Sequence, residues 1–129
     1  MKTVLNEQQL AITIKRLSHQ ILENHPRLEN TVIIGLQPRG IFLSDQLVDE
    51  LKKLTGPEHI RYGVLDITFY RDDVRTEIHV PNQTKIPFTI EGKNVVLIDD
   101  VLYTGRTIRA ALDALLDFGR PSKVELCAL

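Results

Sequence analysis

Cysteine occurs once in this chain, at Cys127, which excludes an internal disulfide and any cysteine-built metal site. That one thiol falls in an apolar final segment and reads as a buried structural residue. Charge of one sign is also missing. Sixteen Lys and Arg against seventeen Asp and Glu leave a formal net charge of −1, so no global basic field surrounds the molecule and any polyanion site has to be a local patch. No stretch approaches the ~18 apolar residues of a membrane span, and the amino terminus lacks an apolar secretory core, so a soluble cytoplasmic protein is expected. His25, His59 and His79 lack metal-ligand spacing and are expected on loops or strand edges. Neither G-x-x-x-x-G-K-[ST] nor G-x-G-x-x-G occurs, which removes a P-loop lysine and a dinucleotide fingerprint. Repeats and low-complexity tracts are absent as well.

What the chain does have is concentrated between Val95 and Thr107. Val95 to Ile98 is a β-branched and aliphatic run, as expected of a strand buried on both faces of a parallel sheet. Asp99 and Asp100 fall at its carboxyl end, the edge where open α/β sheets bind ligands. From Thr107 the period changes, and Ile108, Ala111, Leu112 and Leu115 are spaced to form one apolar helical face. The turn between them offers free N–H groups at a helix start, backed by the positive end of the dipole, and so suits a phosphate. Two adjacent carboxylates accept hydrogen bonds from two neighbouring ribose hydroxyls. Gly105 lets the backbone approach a phosphate with no Cβ in the way. Thr104 and Thr107 add hydroxyls, and Arg106 adds charge. The competing reading is an ordinary strand-turn-helix connection with Asp and Thr as turn formers and caps. It gives no account of a double acid after an apolar strand.

A length of 129 residues suggests one domain, large enough for a single core. Asn6 with Gln9 reads as a helix cap opening a helix to about Asn24, with Leu10, Ile14, Leu17 and Ile21 as its buried stripe. Thr31 to Leu36 is the first expected strand. After Gln37-Pro38-Arg39-Gly40 a second helix runs to about Leu54, stopped by Thr55-Gly56-Pro57. Arg61 to Phe69 reads as another strand. Tyr70 to Lys93 is polar, broken by Pro81, Pro87 and Gly92, with little periodicity, as expected of a lid or flap. A last strand starts at Lys123. Strands alternating with helices predict an α/β fold with an open, mainly parallel sheet.

The segment Asp99-Asp100-Val101-Leu102-Tyr103-Thr104-Gly105-Arg106-Thr107 resembles the phosphoribosyl-pyrophosphate (PRPP) signature of type I phosphoribosyltransferases. With the Gly119-Arg120-Pro121-Ser122 exit, Ile34 to Gly40, Leu65 to Asp73 and the first helix around Arg16 and His19, the chain is similar throughout to the PyrR family, bacterial regulators of pyrimidine operon mRNA with uracil phosphoribosyltransferase activity. The resemblance implies the type I phosphoribosyltransferase fold over residues 1–129 with a long flexible flap. It also implies a hood incomplete at the carboxyl terminus, because the family continues past the position of Leu129.

By resemblance, Asp99 and Asp100 hold the ribose diol, Val101 to Thr107 form the nucleotide loop, and Pro38 and Arg39 belong to the pyrophosphate loop. Arg71, at the root of the flap, stabilises the departing pyrophosphate. Mg²⁺ enters with PRPP, no direct protein ligand being implied. The expected partners are PRPP, uracil, UMP and pyr leader mRNA, the last through Arg16 and His19, and the family assembles as a homodimer or higher homo-oligomer. From residue types alone, Gln37 to Gly40 equally fits a Pro-Gly turn with a solvated arginine, Arg71 to Arg75 a solvated charge cluster, and Ile12, Lys15, Arg16, His19 and Glu23 a solvated helix face. Three functions follow in order: a bifunctional regulator and uracil transferase, a regulator using the transferase site as a UMP sensor, and a phosphoribosyltransferase for hypoxanthine or orotate without an RNA role. A receiver-type signalling domain fits less well, since its acidic pair follows the first strand.

Overall fold

A computed structural model describes residues 7–26, 28–37, 41–67, 84–99 and 105–128, with residues 41 and 105–107 described by backbone alone. The elements in chain order are α1 (Glu7–Asn24), β1 (Thr31–Gln37), α2 (Ile41–Thr55), β2 (Tyr62–Asp66), β3 (Asn94–Asp99), α3 (Gly105–Leu116) and β4 (Lys123–Ala128), with short 3₁₀ turns at Leu28–Asn30 and Pro57–His59. Their boundaries fall within one or two residues of those the hydrophobic pattern predicts, except at β2, which ends at Asp66 rather than Phe69.

The sheet order is β2-β1-β3-β4, and all three pairings are parallel. Central strands flanked on both sides cannot leave an apolar face in water, which is why β1 and β3 are nearly continuous runs of Val, Ile and Leu. Their alternate side chains feed two cores. Val32, Ile34 and Leu36 of β1 with Val95 and Leu97 of β3 meet α3 on one face. Ile33, Val96 and Ile98 meet Ile14, Leu17 and Ile21 of α1 and Leu43, Leu47, Val48 and Leu51 of α2 on the other. Burying a Leu or Ile stabilises by about 1.5–3 kcal/mol, so the two layers hold the sheet rigid beneath its carboxyl edge.

Local chemistry sets the helix ends. In α1 the Ser18 hydroxyl is buried and donates to the Ile14 carbonyl at 2.8 Å, so a polar residue sits among apolar neighbours without an unmet donor. Pro26 cannot continue that helix. At the end of α2 the Gly56 N–H bonds to the Lys52 carbonyl at 2.8 Å, with Gly56 at φ +99°. The Tyr62 hydroxyl donates to Asp45 Oδ1 at 2.6 Å and ties β2 to α2. Burial first, and Asp45 second, push its ionisation well above the usual phenol range.

Three expectations are corrected. The predicted apolar face of α3 is rotated: the helix begins at Gly105, its backbone running from there, and buries Ala110, Ala111, Ala114 and Leu115, leaving Ile108 and Leu112 exposed. The strands beneath already supply branched side chains, so only alanines let the helix approach closely. The stretch expected to be a polar lid is partly core. Lys85 bridges Val64 antiparallel, with both N–H groups bonded to the opposite carbonyl at 2.9 Å, while Ile90 is fully buried and Ile86 and Phe88 pack against the α3-side core. Cys127 is only partly buried, because β4 is an edge strand. Burial, and then the nearby Glu125 carboxylate, raise its thiol pKa, so at neutral pH it is protonated and a weak nucleophile. The Asn6 cap, His79 and the segment 68–83 lie outside the described residues.

Candidate nucleotide-binding edge

Register determines what meets at the carboxyl edge. Gln37 is paired with Asp66 across β1 and β2, and Asp99, the last residue of β3, is paired with Ala128 of β4. Two strand spacings separate β2 from β3, so the Asp66 and Asp99 backbones stand about 10 Å apart along the rim. Both carboxylates are buried, Asp99 at 4% exposure and Asp66 at 5%. Buried acids at strand ends are costly unless hydrogen-bonded, and each has polar interactions. The Asp66 N–H donates to Thr84 Oγ1 at 2.9 Å, which brings the chain back from residue 84 to the rim.

Two helices start at this same edge. The backbone of α3 begins at Gly105, six residues after Asp99, and that of α2 at Ile41, four residues after Gln37. Each places the positive end of a helix dipole beside a strand terminus, an arrangement that favours anions. Carboxylate acceptors and helix N-termini on one rim suit a ligand with hydroxyls at one end and phosphates at the other.

Of the expected site residues, Asp99 ends β3, and Gly105, Arg106 and Thr107 form the first turn of α3. Pro38, Arg39, Arg71, Asp100, Val101, Leu102, Tyr103 and Thr104 lie outside the described residues. Arg16 and His19 are exposed on α1 with Ile12, Lys15 and Glu23, while Ile14, Leu17 and Ile21 turn inward. Sequence reasoning passed over Asp66 as a site residue, although it carries the signal that marked Asp99: a carboxylate closing an apolar strand. Among the described residues no group of three or more His, Cys, Asp or Glu could cage a metal, and no helix is long and apolar enough to cross a membrane.

This fold and rim define a phosphoribosyltransferase: the phosphoribosyl transferase domain family matches residues 1–129. A hypoxanthine-guanine phosphoribosyltransferase from Bacillus anthracis superposes with a TM-score of 0.75 at 22% identity, covering 100% of this chain and 72% of that one. A purine phosphoribosyltransferase from Pyrococcus horikoshii gives 0.68 at 25% identity, covering 97% and 74%. Within that class the chain belongs to the PyrR family, being 47% identical over 131 residues to the bifunctional protein PyrR of Elusimicrobium minutum, with 99% of this chain and 72% of that protein covered. The Geobacter bifunctional protein PyrR is 50% identical over 119 residues, covering 90% of this chain and 66% of that protein.

Proposed function

We propose that this chain binds PRPP and UMP, catalyses uracil + PRPP → UMP + diphosphate, and regulates pyrimidine synthesis by binding pyr leader mRNA. The observation that supports this most is a buried Asp99 closing the central strand β3 six residues before a helix start, in a chain nearly half identical over its length to proteins named bifunctional PyrR. Asp99 and Asp100 accept the two ribose hydroxyls. The turn from Val101 through Tyr103 to Thr107 cradles the 5′-phosphate with backbone N–H groups, hydroxyls and the Arg106 charge. Pro38 shapes the pyrophosphate loop and Arg39 clamps the diphosphate. Arg71 stabilises the negative charge that develops as diphosphate leaves and the ribose gains oxocarbenium character. Holding the uracil nitrogen against the ribose carbon is itself a large part of such a rate enhancement, so no dedicated base is required.

Among the described residues no group of three or more His, Cys, Asp or Glu could hold a cation, which fits Mg²⁺ entering with PRPP rather than on direct protein ligands. Brought in with PRPP, Mg²⁺ would supply positive charge against the diphosphate. Arg16 and His19 contact RNA from the exposed face of α1. Such a protein works in the cytoplasm, where leader mRNA is transcribed, and as a homo-oligomer presents that face more than once.

The test is one preparation assayed twice. Diphosphate release from PRPP with uracil, hypoxanthine or orotate should occur with uracil, and UMP should tighten binding of a pyr leader RNA in a gel shift. Turnover of hypoxanthine or orotate without uracil would replace the base assignment. RNA binding without turnover would leave a sensor.

A further inference from the structure

Apolar burial sets how far α2 stands from the sheet better than it sets where the helix sits along its own axis. Leu43, Leu47, Val48 and Leu51 meet Ile33, Val96 and Ile98, and that attraction has no direction. A directional tie comes from Tyr62, the first residue of β2. Its hydroxyl lies 2.6 Å from Asp45 Oδ1 and 2.5 Å from Ser44 Oγ, and Ser44 is fully buried. A carboxylate can only accept, so the single phenol proton points to Asp45 and the Ser44 O–H donates to the phenol oxygen. Hydrogen bonds in such a chain polarise and strengthen one another. Burial, and then Asp45, keep the phenol protonated at neutral pH, so the chain stays intact there.

We propose that Tyr62 is a positioning residue for the diphosphate of PRPP, a strut from the start of β2 to the first turns of α2 that sets the height of that helix start at the carboxyl edge. The inference rests on the function proposed above, in which the loop before α2 holds the diphosphate through Arg39. Tyr62 stands four residues before Asp66, about 13 Å below the edge. Ser44 and Asp45 lie only about 4.5 to 6 Å along α2 from Ile41, its first residue. The phenol therefore joins a point low on the sheet to the part of the helix nearest the ligand. Backbone N–H groups hold an oxygen only within about 2.7–3.2 Å, so a helix start that slides by 1 Å leaves that range. A displacement of that size far from the reacting atoms can cost up to about a hundredfold. The diphosphate is held in PRPP before its bond to ribose breaks, so the loss should fall on binding rather than on the chemical step.

Steady-state kinetics on Tyr62→Phe, which keeps the ring and removes the hydroxyl, tests the assignment. The KM for PRPP should rise about five- to tenfold, while kcat and the KM for uracil stay within about twofold. Asp45→Asn keeps an acceptor for the phenol and should retain a KM near wild type, whereas Asp45→Ala should match Tyr62→Phe. Both changes remove the same charge, so the difference between them reads the hydrogen bond alone. Tyr62→Phe with Asp45→Ala should be no worse than either single change, because both break one link. Hydrogen exchange supplies a readout independent of turnover: the Leu47 and Val48 amides, bonded to the first turn of α2, should exchange faster in Tyr62→Phe. A wild-type chain that turns over no uracil would sink the proposed function and leave exchange to judge the strut. An unchanged KM for PRPP with a lowered thermal transition, an Asp45→Asn as impaired as Asp45→Ala, or unaltered exchange at Leu47 and Val48 would each overturn Tyr62 as a positioning residue.

Discussion

His25 Nε2 lies 2.8 Å from Glu125 Oε2, so a buried side chain just beyond the end of α1 closes on the edge strand one hundred residues later. The other ring nitrogen is 3.4 Å from Thr31 Oγ1 at the start of β1, and Lys123 Nζ is 2.9 Å from Glu125 Oε1. One carboxylate thus ties β4 to the helix layer at the end of the sheet remote from the candidate ligand rim.

That arrangement fixes the sign of a pH effect. The Lys123 hydrogen bond first, and His25 second, hold the Glu125 carboxyl below the usual range. Its folded-state value lies below its unfolded one, so the stabilisation is present above the ordinary carboxylate value of about 4.3 and is lost as pH falls through the folded value. In urea unfolding, Glu125→Gln should cost under about 1 kcal/mol at pH 7, because the carboxylate is partly in water. The difference from wild type should close as the pH drops below the carboxylate range. A gap that widened on acidification would contradict the ion-pair account.

Replacing both Asp99 and Asp100 by Asn should abolish PRPP binding at concentrations that saturate the wild type. Each lost charge-assisted hydrogen bond costs about 1.5–3 kcal/mol. Asn conserves shape at the buried strand end, so the thermal unfolding transition should survive and report a folded protein. Isothermal titration with PRPP decides the matter: affinity within a factor of two of wild type would remove the ribose assignment.

Gly63→Ala should loosen the segment that returns to the rim at Thr84. A Cβ at Gly63 would stand 2.9 Å from the Lys85 carbonyl and 3.1 Å from the Phe88 ring, where backbone cannot yield cheaply. The Val64–Lys85 bridge would be displaced, at a cost of about 1–3 kcal/mol. Hydrogen exchange should show the Lys85 and Val64 amides losing protection ahead of those in β1 and β3; uniform loss across the sheet would argue against a local effect.

Arg16→Ala with His19→Ala should weaken leader-RNA binding and flatten its salt dependence, while UMP affinity changes by less than about twofold, under ~0.5 kcal/mol. Both side chains are exposed on α1, whose inward face packs against the sheet and α2, and neither belongs to the carboxyl edge. Paired gel-shift and UMP titrations check the two halves together. Persistent RNA binding would move the interface elsewhere.

How legible each feature was in the sequence followed from how local its cause is. The strands β1 and β3 were readable because burial on both faces demands an unbroken apolar run, and the end of β3 at Asp99 because the apolar run stops at that acid. The face of α3 was misread because two apolar stripes compete on that helix, and periodicity weights the larger side chains of Ile108 and Leu112 over the alanines that fit the sheet. Ile90 and Phe88 were hidden in a polar, proline-broken stretch whose packing depends on residues far away in sequence. His25 with Glu125 left no sequence signal at all, since each partner alone resembles a solvated charge.

The strand order has a consequence for how the chain is made. With β1 between β2 and β3, β1 gains its second neighbour only when residues 94–99 have left the ribosome. At about 5–20 residues per second, the part already made therefore waits several seconds with one edge of β1 unpaired. Until β3 arrives, that edge is the point on the nascent protein most exposed to wrong pairing, and the place where a chaperone would have most to cover.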